Sequence, residues 1–232
     1  MQRVLVTGAN RGIGLEFARQ LLTRGARVIG TCREPGKALK LTGLAAAHPG
    51  RLTLLPLHLT KERSIAELAR QAADLVDALD LLINNAGVLV AGERYGELAA
   101  KSFNETFDVN VVGPLLLTQA LTPLLTRGES PKIVNLSSDL GSLSKTTSFY
   151  TPSYAVSKAG LNMATRLLAA ELAPAGISVV SVNPGWVKTD MGGAQAPVTV
   201  QASVTGMLTV INGLQRRDSG RFFDHTGAAL AW

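Results

Sequence analysis

The chain has 232 residues, 46% of them apolar and 17% charged, a balance that excludes disordered and fibrous classes and is ample for a sizeable core. Its net charge of +6, from 23 basic and 17 acidic side chains, is spread along the sequence, and the 5% of aromatic residues do not interleave with it, so no nucleic-acid surface is expected. A single cysteine, Cys32, excludes an intramolecular disulfide and a cysteine zinc cluster; no metal is expected, and a reducing compartment, the cytoplasm, is the expected location.

The opening run Arg3 to Thr7 has no basic, apolar and cleavage regions in series, so no secretory leader is expected. Short β-branched runs then recur at Val4 to Val6, Arg27 to Thr31, Leu52 to Leu57, Leu81 to Ile83, Lys132 to Leu136 and Ile177 to Val182, each the pattern of a buried strand. Helical spacing separates them, as in Ile65, Leu68, Ala69, Ala72, Leu75 and Val76. This alternation predicts one α/β domain over 1–232, a doubly wound parallel sheet with helices on both faces and ligands beyond the strand carboxyl ends. The longest apolar stretch, Val111 to Leu125, is broken by Gly113, Pro114, Thr118, Gln119, Thr122 and Pro123, so no membrane crossing is expected. The glycine- and alanine-rich segment from Gly185 to Pro197 predicts a mobile substrate loop near 188–200, with a last helix starting near Thr199.

Chemistry-bearing residues follow the strands. Gly8-Ala-Asn10-Arg11-Gly12-Ile13-Gly14 joins the first strand to a helix; glycines allow close backbone approach to a pyrophosphate, and the free N–H groups of a helix start favour its oxygens. An ordinary glycine turn has the same letters. After the second strand, where a carboxylate would hold the 2′-hydroxyl of NAD, stands Thr31-Cys32-Arg33. Arg33 and Arg11 suit a 2′-phosphate, which favours NADP(H) and leaves NAD(H) possible; solvated surface arginines are the plainer alternative. The fourth strand ends in Asn84-Asn85-Ala86-Gly87, small polar residues where a nucleotide would lie against the sheet.

Asn110 precedes Pro114 by four residues, so its carbonyl loses a helical partner, and a kink with an acceptor for an ordered water is expected there. The fifth strand delivers Ser137 and Ser138. Tyr154-Ala-Val-Ser-Lys158 opens a helix reaching Leu172, and the spacing of four puts phenol and ammonium on one face. The ammonium is expected to lower the pKa of the phenol, making Tyr154 a general acid or base, although such pairs also occur as plain surface contacts. After the sixth strand, Pro184-Gly185-Trp186-Val187-Lys188-Thr189 turns away from the sheet, and an amide and a hydroxyl at Val187 and Thr189 could hold a flat carboxamide; a helix cap is the alternative.

Together these motifs resemble the short-chain dehydrogenase/reductase family. The likeness rests on Thr7-Gly8-x-x-x-Gly12-x-Gly14, Asn84-Asn85-Ala86-Gly87, Asn110, Ser138, Tyr154-x-x-x-Lys158 and Pro184-Gly185-x-Val187-x-Thr189. It implies a Rossmann-type fold and hydride transfer between NADP(H) and a carbonyl or alcohol. Tyr154 would exchange the proton, Ser138 steady the carbonyl oxygen, Lys158 hold the nicotinamide ribose and tune Tyr154, and Asn110 anchor a water relay. Within the family, Trp186 to Gly193 and the tail from Gly220 look most like the C-factor and sniffer-type carbonyl reductases. One departure stands out: where the family places an acidic residue against adenine, this chain has His58-Leu59-Thr60, leaving a ring nitrogen of His58 or the backbone of Leu59 for that contact. A homodimer or homotetramer is expected through the helices bearing Asn110 and Tyr154. The other class considered is a catalytically silent nucleotide-binding signalling or scaffold protein. An epimerase or dehydratase would need a substrate domain for which no chain remains after residue 190.

Overall fold

The computed structural model describes all 232 residues. Seven parallel strands form one sheet in the order β3-β2-β1-β4-β5-β6-β7. The strands are β1 (Arg3–Val6), β2 (Arg27–Cys32), β3 (Leu52–Pro56), β4 (Leu81–Asn84), β5 (Lys132–Leu136), β6 (Ser178–Asn183) and β7 (Phe222–Asp224). The helices are α1 (Gly12–Thr23), α2 (Leu39–Ala47), α3 (Glu62–Leu75), α4 (Ala100–Phe107), α5 (Gly113–Leu125), α6 (Pro152–Leu172) and α7 (Val200–Gly213). The order doubles back between β1 and β4, and a cleft for a ligand opens at such a reversal, outside the strand carboxyl ends.

Side chains two apart on a strand share a face, so each apolar strand feeds two cores. Val4, Val6, Val28, Leu81, Ile83, Val134 and Val180 pack with α1, α2 and α7 through Phe17, Leu41 and Met207. Leu5, Ile29, Leu82, Ile133 and Val179 pack on the opposite face with α3 and α5 through Ile65, Leu68, Leu117 and Leu121. Burying one such leucine contributes about 2 kcal/mol.

The six expected strands are present to within a residue at each end, and Thr199 caps the last helix, its Oγ1 accepting the Ala202 N–H at 3.1 Å. Strand β7 was not foreseen: it has three residues and no β-branched run. The kink near Asn110 takes the form of a π-helical turn, Asp108–Val112, in which the Gly113 N–H passes over the nearer carbonyls to reach Asp108 O. The helical run Ala100–Leu125 is long and apolar enough to cross a membrane by length and composition; half of its most apolar window is buried within the fold, where α4 packs on α6 and α5 on α3.

Candidate active site

The glycine turn is shaped by close approach. Gly8 and Gly12 have φ of +65° and +53°, a region L side chains rarely adopt. A Cβ at Gly14 would stand 2.3 Å from Gly8 O, so a side chain there is excluded by backbone. Arg11 precedes α1 without a side-chain cap, and the first amides of the helix have no intrahelical acceptor. The Asn85 carboxamide is occupied in building this turn: its Nδ2 donates to Thr7 O at 2.7 Å and Gly8 O at 3.3 Å, while Thr7 Oγ1 accepts the N–H groups of Asn85 and Ala86, each at 3.0 Å. Asn85 therefore shapes the cradle rather than facing into it. Gly87 keeps space open beside Asn110 and Lys158; a Cβ there would lie 3.2 Å from Asn110 Oδ1.

At the end of β2, Thr31 is buried with its Oγ1 lacking any partner, and Arg33 is exposed. Arg11 is not free: its Nη1 lies 2.5 Å from Asp190 Oδ2, joining the glycine turn to the loop after β6. After β3, the His58 N–H donates to Ser64 Oγ at 2.9 Å and Leu59 buries its side chain in the core, so the Leu59 contribution to a cleft is limited to backbone.

The loop after β6 is tied to itself by hydrogen bonds. Lys188 N–H donates to Val198 O at 2.9 Å, Val198 N–H to Trp186 O at 3.2 Å, Trp186 Nε1 to Gly192 O at 2.7 Å and Gly192 N–H to Thr189 Oγ1 at 3.0 Å. The pairing with Val198 turns the Val187 N–H away from it and leaves that amide without a partner, while Pro184 O accepts from Ser203 Oγ at 2.7 Å. Thr189 approaches the glycine turn, its Cγ2 3.5 Å from the position of a Cβ on Gly12.

The two serines after β5 divide. Ser137 Oγ donates to Asn162 Oδ1 at 2.6 Å inside the core, whereas Ser138 stands at the cleft. Asn110 is fully buried; its Oδ1 accepts the Val88 N–H and its Nδ2 donates to Val88 O, both at 2.9 Å, and to Ser157 Oγ at 3.0 Å. Its side chain thus locks the segment after β4 onto α6. Tyr154 and Lys158 share one face of α6, with Nζ 5.5 Å from the ring centroid.

The expected lowering of the phenol pKa is not what this geometry produces. Burial pushes Tyr154 up to about 12, the Ser138 hydroxyl pulls it down and the Asp139 charge pushes it up further. Burial also pulls Lys158 down to about 8, and its Nζ donates to Leu136 O at 2.6 Å. The reason is desolvation: the same scarcity of water penalises phenolate and ammonium alike, and spacing along a helix does not reveal it.

Two side chains not singled out by their sequence patterns border this cluster. Glu93, between β4 and α4, accepts from Ser153 N at 3.2 Å and Ser153 Oγ at 2.8 Å, binding the first turn of α6 beside Tyr154, and its Oε1 is buried without a partner. Asp139 Oδ1 accepts from Ser138 Oγ at 3.2 Å.

A family model described as short chain dehydrogenase matches residues 2–198. The chain belongs to the short-chain dehydrogenase family. This short-chain dehydrogenase superposes on an NADPH-bound carbonyl reductase from chicken fatty liver with a TM-score of 0.95 and 39% identity, covering 100% of this chain and 99% of that one. It superposes on the carbonyl reductase Sniffer of D. melanogaster with a TM-score of 0.96 and 32% identity, covering both chains completely. It is also 42% identical over 154 residues to the C-signal protein of Myxococcus xanthus, a match that covers 66% of this chain and 93% of that one.

Proposed function

We propose that this short-chain dehydrogenase reduces small-molecule carbonyl compounds, or oxidises the corresponding alcohols, with NADP(H), and that Tyr154 exchanges the proton. The observation that carries the reading is the meeting, at one edge of the sheet, of a turn whose glycines admit no Cβ with a half-buried phenol flanked by a serine hydroxyl and an ammonium. The likeness to an NADPH-bound carbonyl reductase supports the same choice of cofactor.

The residues present fit a dinucleotide. The Gly8 to Gly14 turn, with Asn10 and Ile13, would hold the pyrophosphate; Arg33 and Arg11 would hold a 2′-phosphate, Arg11 on giving up Asp190; and the partnerless Thr31 hydroxyl lies buried at the same strand end. Ala86 and Gly87 would wall the cradle, His58 and the Leu59 backbone would serve the adenine, and Pro184, Gly185, the free Val187 N–H and Thr189 would hold the carboxamide. NAD(H) is the weaker partner because no carboxylate ends β2. When bound, the nicotinamide supplies or accepts the hydride. Ser138 holds the substrate oxygen by turning its one hydroxyl hydrogen from Asp139 Oδ1 onto it, and Tyr154, protonated at neutral pH, donates a proton to that oxygen as it gains charge. Lys158, still mostly an ammonium at neutral pH, places positive charge beside the phenol, and Asn110 keeps the floor of the cleft in register with α6.

A cytoplasmic location suits the single buried free Cys32. A homodimer or homotetramer suits the exposed Val156, Met163 and Leu167, which follow one face of α6, and light scattering decides it. NADPH oxidation over a panel of aldehydes, ketones and quinones tests the activity: turnover with neutral members is expected, and NADPH binding with no turnover by any member defeats it. The likeness to C-signal favours one second reading, a nucleotide-binding signalling protein without turnover. It predicts that Tyr154→Phe leaves the biological effect intact.

A further inference from the structure

Ser138 is followed directly by a 3-10 turn, Asp139–Gly141, whose first residue is acidic. The Asp139 side chain is exposed, and its carboxylate bends back onto Ser138: its Oδ1 accepts from Ser138 Oγ at 3.2 Å and from Leu140 N at 3.1 Å. Its charge reaches Tyr154 as well, where it adds to the effect of burial. Asp139 takes part in none of the ion pairs of the molecule. An uncompensated negative charge therefore stands one hydrogen bond from the hydroxyl assigned to the substrate oxygen. The loops that follow β4, β5 and β6 at this same sheet edge expose large apolar side chains. Tyr95 and Phe149 meet edge to face with centroids 5.5 Å apart, and Tyr150 and Trp186 are also exposed.

We propose that Asp139 is a specificity residue that makes the cleft select uncharged, apolar-flanked carbonyl compounds and reject those bearing a carboxylate or phosphate beside the reacting carbon. The inference rests on the reductase reading and goes beyond it in naming the substrate class. A carbonyl oxygen held by Ser138 brings an adjacent carboxylate to about 5 Å from Asp139, close enough for like charges to repel although the Asp139 side chain is exposed and water screens part of the effect. Ester or alkyl groups meet no such penalty. Discrimination built from a screened repulsion lowers kcat/KM for the anion by roughly 5- to 10-fold.

The test uses the NADPH-loaded protein with an aryl 2-keto ester and the matching 2-keto acid. The ester is expected to exceed the acid by roughly tenfold in kcat/KM, and Asp139→Asn, which keeps the acceptor for Ser138 and Leu140, is expected to shrink that ratio about fivefold. Asp139→Glu, which restores the charge, keeps it high. Because the ratio is taken within each variant, any general effect on Ser138 cancels. Asp139→Ser replaces the asparagine variant if that one does not fold. A ratio unchanged by neutralising residue 139, or an acid reduced as well as the ester by the wild type, overturns the inference while leaving the reductase reading in place. Reduction of no carbonyl at all by NADPH-bound protein overturns the reductase reading and this inference with it.

Discussion

The two ends of the sheet treat their polar groups in opposite ways. At the amino end, Arg3 donates to Asp80 through its backbone N–H at 2.7 Å, Nε at 3.0 Å and Nη2 at 2.7 Å, and the Glu129 N–H adds a further bond at 2.7 Å. Burial pushes the Asp80 carboxyl up, but these bonds outweigh it and hold the group below the usual carboxylate range. At the carboxyl end, Thr31 Oγ1, Glu93 Oε1 and Thr151 Oγ1 are buried without partners, and Thr151, a β-branched residue, is left-handed at φ 41° just before α6. Tyr154 and Lys158 are displaced against their charged forms. Polar groups satisfied at one end and left wanting at the other separate what stabilises the sheet from what is prepared for a ligand.

The largest expected effect breaks the carboxyl end alone. Tyr154→Phe removes the proton donor and is expected to lower kcat for carbonyl reduction at least 1,000-fold, of the order that acid catalysis supplies, with thermal unfolding little changed. Steady-state kinetics beside calorimetry checks both halves.

Lys158→Met is expected to cost about 100-fold in kcat while making the ligand-free protein more stable at neutral pH, because a buried charge is removed. The sign follows from proton binding. The unfolded chain holds the Lys158 proton to about 10.5 and the folded chain only to about 8, so wild-type stability gains from this group as pH rises across that window. Denaturant titrations at several pH values should show this gain in the wild type and its loss in the variant.

Smaller effects sharpen the contrast. Arg33→Ala and Arg11→Ala are each expected to raise the KM for NADPH about tenfold, with little change for NADH, as removal of a phosphate fork does. Asp80→Asn, at the opposite end, is expected to cost about 2 kcal/mol of stability at neutral pH and leave kcat unaltered. The folded pKa of Asp80 is depressed, so its stabilisation is present above the ordinary carboxylate value and fades as pH falls through the folded one. Wild type and variant should converge in acid.

Much of this division was legible in the sequence. The β-branched runs placed six strands because a buried parallel strand needs apolar side chains on both faces. Gly8, Gly12 and Gly14 announced a turn that tolerates no side chain, and Pro114 announced the break in the helix, though not that a π-helical turn would absorb it. What escaped depends on distance in the folded state. The bond from Glu93 to Ser153 spans 60 positions, and the bond from Arg11 to Asp190 spans 179. The Tyr154 shift had the opposite sign from the one expected because a helical interval reports who is adjacent, while burial depends on the whole fold.

Deuteride transfer is the most direct test of the central claim. NADPH carrying deuterium at the transferable position of C4, supplied with a neutral aryl ketone, should leave deuterium on the carbinol carbon of the product with wild-type protein, and essentially none over the same interval with folded, NADPH-binding Tyr154→Phe. Wild-type protein that binds the labelled cofactor and passes no deuterium to any neutral carbonyl compound would contradict the account.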